Sequence, residues 1–546
     1  MRVLPACCVV ALAALGCPAS APPVVEGEPT VTDPCSPLAA LDADYEALAR
    51  RVGAATWYSY AGGPEGTAAE DPAEVRAEFG ALFDRAAPVL AACAAGTTPP
   101  ATARRLELWN RCAVAWRLDA DPAAVRLRVE LERRVNGHAF ERDGTRYSRA
   151  DLSRLARADD ENLRRLALEL RGDLHRAVVD DTLRLVEVRR RAAAQLGGGT
   201  YAELLLAAQG VPPELLDPLL DDLERRTRDA WEAVLQRGRS AAGLAPDAPL
   251  RSVDLQWLLE KLGGVPDDRW PKERAWPAVV DTLAGLGIDV EALPLERVEG
   301  DFGYGGQTIA VAIPGDVRMM INPLPGSRIW GTLLHETGHA LQGVYTEVPD
   351  GMLKGYEWLA GASAPAYSEG MAELLGLLVG RPDFLSRRTD LSADERERFL
   401  SVWRARTLLG IRAHLIDVAV ERALYAEGSD VEAVEREATR RYLGVERPAD
   451  APATWAANAF IAAYPCYMQN YVLADVVAAQ VHRTLAERFG SGWLEHAEVG
   501  AFLRDALWRD GETREWTDRV RDATGAPLSA DALLELLVEP VPPPAP

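Results

Sequence analysis

Lysine is almost missing from this sequence. Of its 60 basic residues only Lys261, Lys272 and Lys354 are lysine, and 82 acidic residues give a formal net charge of -22. A phosphate-binding surface needs a concentrated basic patch, and none stands out along the chain, which excludes nucleic acid as a partner. Long apolar runs are scarce too. The one at the start, Val3 to Leu15, is too short for a spanning helix. No internal repeat is found and no low-complexity block dominates the chain, which reads as a globular protein. The glycines between Gly303 and Gly306 are not followed by Lys-Ser/Thr and open no helix, which excludes a phosphate loop. What remains is a 546-residue chain, 48% hydrophobic, long enough to bury a large core.

The first seventeen residues combine a charged start (Arg2), an apolar core and a small-residue exit, the pattern of an export signal. Ala14-Leu15-Gly16-Cys17 resembles a bacterial lipobox, which implies a cell-envelope lipoprotein with its lipid on Cys17. The alternative is a cleaved secretory peptide. Membrane contact is then expected only through Cys17. Residues 18–39 read as a flexible tether, 40–540 as one helical domain with its active-site part at about 300–480, and 541–546 as a disordered tail. In an oxidising compartment Cys93 and Cys112 are the expected disulfide, although Cys35, Cys93, Cys112 and Cys466 allow three pairings.

From Asp42 to Gly243 leucines recur at helical spacing. Thr200 with Glu203, and Ser392 with Glu395, form capping boxes that open helices. Thr308 to Ile313 and Val317 to Ile321 are β-branched or Met-rich runs around Pro314-Gly315-Asp316, a hairpin with a type II style turn. Helical text resumes at Ser327. Tyr464, Tyr467 and Tyr471 are spaced for one helical face with Pro465 in a first turn; Tyr464 and Tyr467 are expected to be core.

His335-Glu336-Thr337-Gly338-His339 lies in helical text, so both imidazoles share one face, one turn apart. Zinc takes neutral imidazole nitrogens, and a catalytic site adds a third protein ligand. Glu336 is positioned to take a proton from water. Gln342 and Tyr345 stand where a metzincin needs Gly and His, so the third ligand is a later Glu: Glu347, Glu357, Glu369 or Glu373. Glu369 is favoured as ligand, with Glu373 one turn on orienting a ligating imidazole. One zinc per chain is expected.

These residues resemble the angiotensin-converting-enzyme family of gluzincin peptidases, and more distantly the thimet oligopeptidase and oligoendopeptidase F families. Gly361 to Glu373 is similar to the family's Gly-Ala-Asn-Pro-Gly segment and ligand helix, and Asn470 to His482 to its Arg-Tyr-Phe to Gln-Phe-Gln-x-His stretch. The resemblance implies a mainly α, two-lobed fold with a deep central cleft and a small β-hairpin beside the zinc helix. It implies hydrolysis of oligopeptides, including dipeptidyl carboxypeptidase action, with Tyr471 stabilising the transition state. The strand Ile309-Ala310-Val311 is the implied substrate-pairing edge. Departures are specific. No histidine lies between His414 and His482 to partner Tyr471, Asn470 replaces a chloride-binding Arg, and the clamp for a C-terminal carboxylate has no counterpart. The rival expectation is a non-catalytic peptide-binding lipoprotein on the same fold.

Overall fold

A computed structural model describes residues 33–62, 70–96, 98–300, 302 and 305–538. The export signal, Cys17, most of the tether and the 541–546 tail lie outside the described residues. Helices dominate, as the mainly α expectation requires. Those that carry the argument are α1 (Leu38–Ala61), α2 (Phe79–Ala94), α3 (Pro100–Asp119), α4 (Glu161–Leu196), α5 (Ser327–Tyr345), α6 (Pro365–Gly376), α7 (Ala393–Tyr425) and α8 (Met468–Phe489). Both capping boxes form, opening Tyr201–Ala208 and α7.

There are two small sheets among the described residues. Strands β1 (Phe140–Arg142) and β2 (Thr145–Tyr147) form a hairpin inside the helical stretch. The second sheet orders β3 (Leu295–Glu299), β5 (Asp316–Ile321) and β4 (Gly306–Ala312), with β5 central. The β4–β5 hairpin matches the sequence reading, with Ala310 opposite Val317. Its turn does not. Gly315 does not take the positive φ that a type II turn starting with Pro314 requires, and the Ile313–Pro314 peptide is cis. Strand β3, parallel to β5, is half exposed, so Leu-Glu-Arg-Val-Glu carries too weak an alternation to announce it.

The large core includes α4 to α8, while a smaller one gathers α1, α2 and α3 around Met352, Tyr356 and Ala362. The disulfide joins Cys35 to Cys93, not Cys93 to Cys112. Packing of α1 against α2 brings Cys35, just before α1, to 4.7 Å from Cys93 between Cα atoms, inside bridging range. Cys112 instead points into the small core as a buried free thiol. Leu38, at the end of the assigned tether, is fully buried and begins α1.

Two glycines set the spacing on which the site depends. A Cβ on Gly338 of α5 would lie 2.5 Å from Met371 O and 2.6 Å from Ala372 Cα. A Cβ on Gly370 of α6 would meet Val477 of α8 at 3.0 Å. Their absence lets α6 lie between α5 and α8 at close range, which brings acidic residues of α6 beside the two histidines.

Candidate metal centre

Helix α5 places His335 and His339 one turn apart, their ring centroids 5.0 Å from each other. Helix α6 supplies Glu369, whose Oε2 lies 3.4 Å from His335 Nε2 and 3.6 Å from His339 Nε2. One ligand atom from each residue falls within 4.8 Å of the others. Oε2 of Glu369 is buried and has no hydrogen-bond partner, whereas Oε1 accepts from the Tyr467 hydroxyl at 2.7 Å. An orphaned buried carboxylate oxygen is unfavourable unless a cation meets it. Two imidazole nitrogens and one carboxylate oxygen are a donor set that suits zinc, so the residues fit the expected ion.

The outer face of each ring is held as well. His335 Nδ1 lies 2.8 Å from Glu373 Oε1, the positioning contact expected from the sequence. His339 Nδ1 lies 3.2 Å from Ser368 Oγ, and that hydroxyl donates to Glu357. If Ser368 gives its proton to Glu357, its oxygen accepts from His339 Nδ1–H and leaves Nε2 free for a metal. Glu357, weighed above as a ligand, thus stands one shell further out. Neither Ser368 nor Tyr467 was singled out from sequence as a site residue, because each acts through a partner remote in the chain.

Burial disfavours charge on His335, but Glu369 and Glu373 outweigh it and lift its pKa well above the ordinary histidine value. Burial also opposes charge on His339, which Glu369 likewise overcomes. Glu369 itself would be raised by burial, yet the two imidazoles hold it far below the usual carboxylate range. Glu336 is 5% exposed. Burial pushes its carboxyl upward, partly offset by His335 and His339. Thr308 Oγ1 on β4 lies 2.8 Å from Glu336 Oε2 and 2.9 Å from Glu336 O, which fixes the side chain beside the histidines.

Tyr471 is on α8, where burial raises its pKa and the charges of Glu369, Glu336 and Glu373 add to the rise. His414 stacks on its ring at 5.9 Å. The three tyrosines do not share a helical face. Helix α8 begins at Met468, so Tyr464 and Tyr467 precede it. Pro465 falls outside the first turn, and Tyr464 is 42% exposed rather than core. On β4, Ile309 and Val311 are buried, and α1 comes so close that a Cβ on Gly53 would lie 3.2 Å from Val311 Cα and 3.5 Å from Ala310 O. On this strand Thr308 bonds Glu336, and a Cβ on Gly306 would lie 2.7 Å from it.

No family model and no curated protein matches the sequence. Solved structures do. The chain resembles metallocarboxypeptidase 1 of Trypanosoma cruzi with a TM-score of 0.61, at 15% identity over 92% of this chain and 98% of that one. It resembles a carboxypeptidase of Pyrococcus furiosus with a TM-score of 0.59, at 14% identity over the same shares. The likeness is one of fold. It does not single out the angiotensin-converting-enzyme or thimet oligopeptidase families.

Proposed function

We propose that this chain is a zinc-dependent peptidase that shortens oligopeptides from the C-terminus. The observation that carries the reading is the buried, unpartnered Glu369 Oε2 facing both histidine Nε2 atoms, with Glu336 alongside. His335, His339 and Glu369 would hold the ion. Bound there, zinc would supply Lewis acidity toward a peptide carbonyl and lower the pKa of water. Glu336, its carboxyl raised by burial and steadied by Thr308, takes a proton from the attacking water and returns it to the leaving amine as the C–N bond breaks. Tyr471, kept protonated, donates to the carbonyl oxygen as it gains charge.

The two similar structures bear the name carboxypeptidase, which favours removal of single C-terminal residues. The resemblance to the angiotensin-converting-enzyme family favours losses of two. Mass spectrometry of products from a mixed peptide library separates these readings, and internal cuts would make the enzyme an oligopeptidase. Glu336→Gln should keep zinc at one per chain by elemental analysis while losing most turnover, since Glu336 is not a ligand. Full activity of chelated, metal-free protein would sink the proposal. The N-terminal pattern supports export with lipid on Cys17, which intact-mass analysis of membrane-extracted protein tests.

A further inference from the structure

A run of neighbouring aromatic rings leads away from the candidate metal centre. Tyr467, whose hydroxyl donates to Glu369, lies 5.5 Å from Tyr471 and 6.0 Å from Tyr464 between ring centroids. Phe460, on the short helix Ala459–Ala463, sits among all three, 5.6 Å from Tyr464, 6.0 Å from Tyr467 and 6.5 Å from Tyr471. Each spacing falls in the range over which aromatic rings attract one another. Only the inner end of the run has a part in the reading above, where Tyr467 supports a ligand and Tyr471 donates to the carbonyl oxygen. Phe460 and Tyr464 have none.

Large apolar side chains left open to solvent are few among the described residues, namely Tyr60, Val129, Leu163, Leu183 and Tyr464. With 42% of its surface open, Tyr464 still has its phenol raised chiefly by burial. Open to water yet walled by protein is the condition of a ring lining a hollow, not of one on a convex surface. Tyr60, equally exposed at the end of α1, shows the same combination, packs edge-on against Phe302 and adds to the rise at Tyr464. The full charges acting on Tyr464 are of both signs, Glu132 against Arg76 and Arg128. The selecting feature is therefore the rings, whose uncovered apolar faces are best met by another flat or bulky apolar group.

We infer that Phe460 and Tyr464 form the subsite that receives an aromatic or bulky apolar side chain of the peptide substrate, within about three residues of the bond that is cut. The inference rests on the peptidase reading above. The position follows from reach. Through the Tyr467 ring, one centroid spacing of 6.0 Å and one hydrogen bond of 2.7 Å connect Tyr464 to Glu369, and extended peptide advances about 3.3–3.6 Å per residue. Phe460 and Tyr464 hold neither the metal's ligands nor the reacting atoms, so their effect belongs to selection among peptides rather than to bond cleavage itself.

The test is cleavage of a positional peptide library by the zinc-loaded enzyme and by Tyr464→Ala, Tyr464→Phe and Phe460→Ala, with zinc content and melting temperature measured for each. Leu183→Ala, which removes a similarly open apolar side chain from α4, is the control. Wild type is expected to favour Phe, Tyr, Trp or Leu over Gly or Ser by about 10-fold or more in kcat/KM at one position. Tyr464→Ala and Phe460→Ala should erase most of that preference, whereas Tyr464→Phe, which keeps the ring, and Leu183→Ala should retain it. If Phe460→Ala loses zinc through its contact with Tyr467, Tyr464→Ala, one ring further out, decides the matter. A flat profile in wild type, a preference that survives in folded, zinc-replete Tyr464→Ala, or an equal loss in Leu183→Ala would overturn the subsite while leaving the peptidase reading intact. No cleavage of any peptide by zinc-replete wild type would overturn both.

Discussion

Tyr467 and Tyr471 are four residues apart in sequence and their hydroxyls face different partners. Tyr467 donates to Glu369 Oε1, which leaves Oε2 as the oxygen directed at the histidines. The Tyr471 hydroxyl is kept protonated by burial and by the charges of Glu369, Glu336 and Glu373. The two Phe variants should therefore fail differently. Tyr467→Phe is expected to weaken zinc binding by roughly 10- to 100-fold in a chelator competition, the usual effect of removing an outer partner of a ligand. Tyr471→Phe should leave zinc affinity and the Michaelis constant nearly unchanged and lower turnover by about 100- to 1000-fold. Equal zinc affinity in both variants would remove Tyr467 from the metal's support. At this scale the sequence was most legible where chemistry is local. His335, Glu336 and His339 need only one helix to be aligned, and Glu369 with Glu373 only the next. Tyr467 was hidden because i, i+4 spacing suggested a helical face, while the helix begins one residue after it.

The segment that delivers these tyrosines is held by a buried arginine and a buried carboxyl group. Arg189 of α4, anchored by Asp119 Oδ1 at 2.7 Å, donates to the carbonyls of Ile461 and Ala462 at 2.8 Å each. Glu421 of α7, 4% exposed, accepts from the Cys466 N–H at 2.8 Å, where Cys466 adopts φ 51°. Such a conformation is uncommon outside glycine and persists because its surroundings fix it. Burial, against the hydrogen bond from Cys466 N–H, with a smaller contribution from Asp417 and against that of Arg189, pushes the Glu421 carboxyl from 4.5 up to about 8. Between those values the folded chain keeps a proton that the unfolded chain has lost. Stability therefore falls as pH rises through that window, by up to about 1.4 kcal/mol per pH unit, and levels off above it. Glu421→Gln mimics the neutral acid and removes this dependence. Its stability relative to wild type, from denaturant unfolding, should rise between pH 5 and pH 8. A constant difference would mean that Glu421 is ionised in the native protein. Caps and helices were readable in advance because Thr200 with Glu203 and Ser392 with Glu395 act within four residues. The contacts of Arg189 and Glu421 join residues far apart in the chain, and no periodicity encodes them.

On the scale of the whole molecule, the mainly α architecture followed from leucine spacing, and the position of the hairpin before the helix of His335 and His339 followed from its β-branched runs. The relationship between chains did not follow as well, because the motifs that suggested one peptidase family are short pieces around a metal, which unrelated architectures can share. The disulfide is where sequence and structure differ most sharply. Cys93 and Cys112 flank a helix connection, but adjacency along the chain does not decide which side chains meet. The Cys35–Cys93 bridge encloses a separation of 58 residues, and loop-closure entropy gives such a link about 4 kcal/mol of stabilisation. It fastens the chain just ahead of α1, and α1 in turn lies against β4 beside the candidate site. Cys93→Ser should therefore lower the melting temperature markedly. Cys112→Ser leaves the bridge intact and changes only a buried thiol in the small core, so its loss should be smaller. A non-reducing peptide map should recover Cys35 joined to Cys93, with Cys112 and Cys466 alkylated only after unfolding. A Cys93–Cys112 peptide in that map would return the pairing to the one suggested by sequence and detach residues before α1 from the domain.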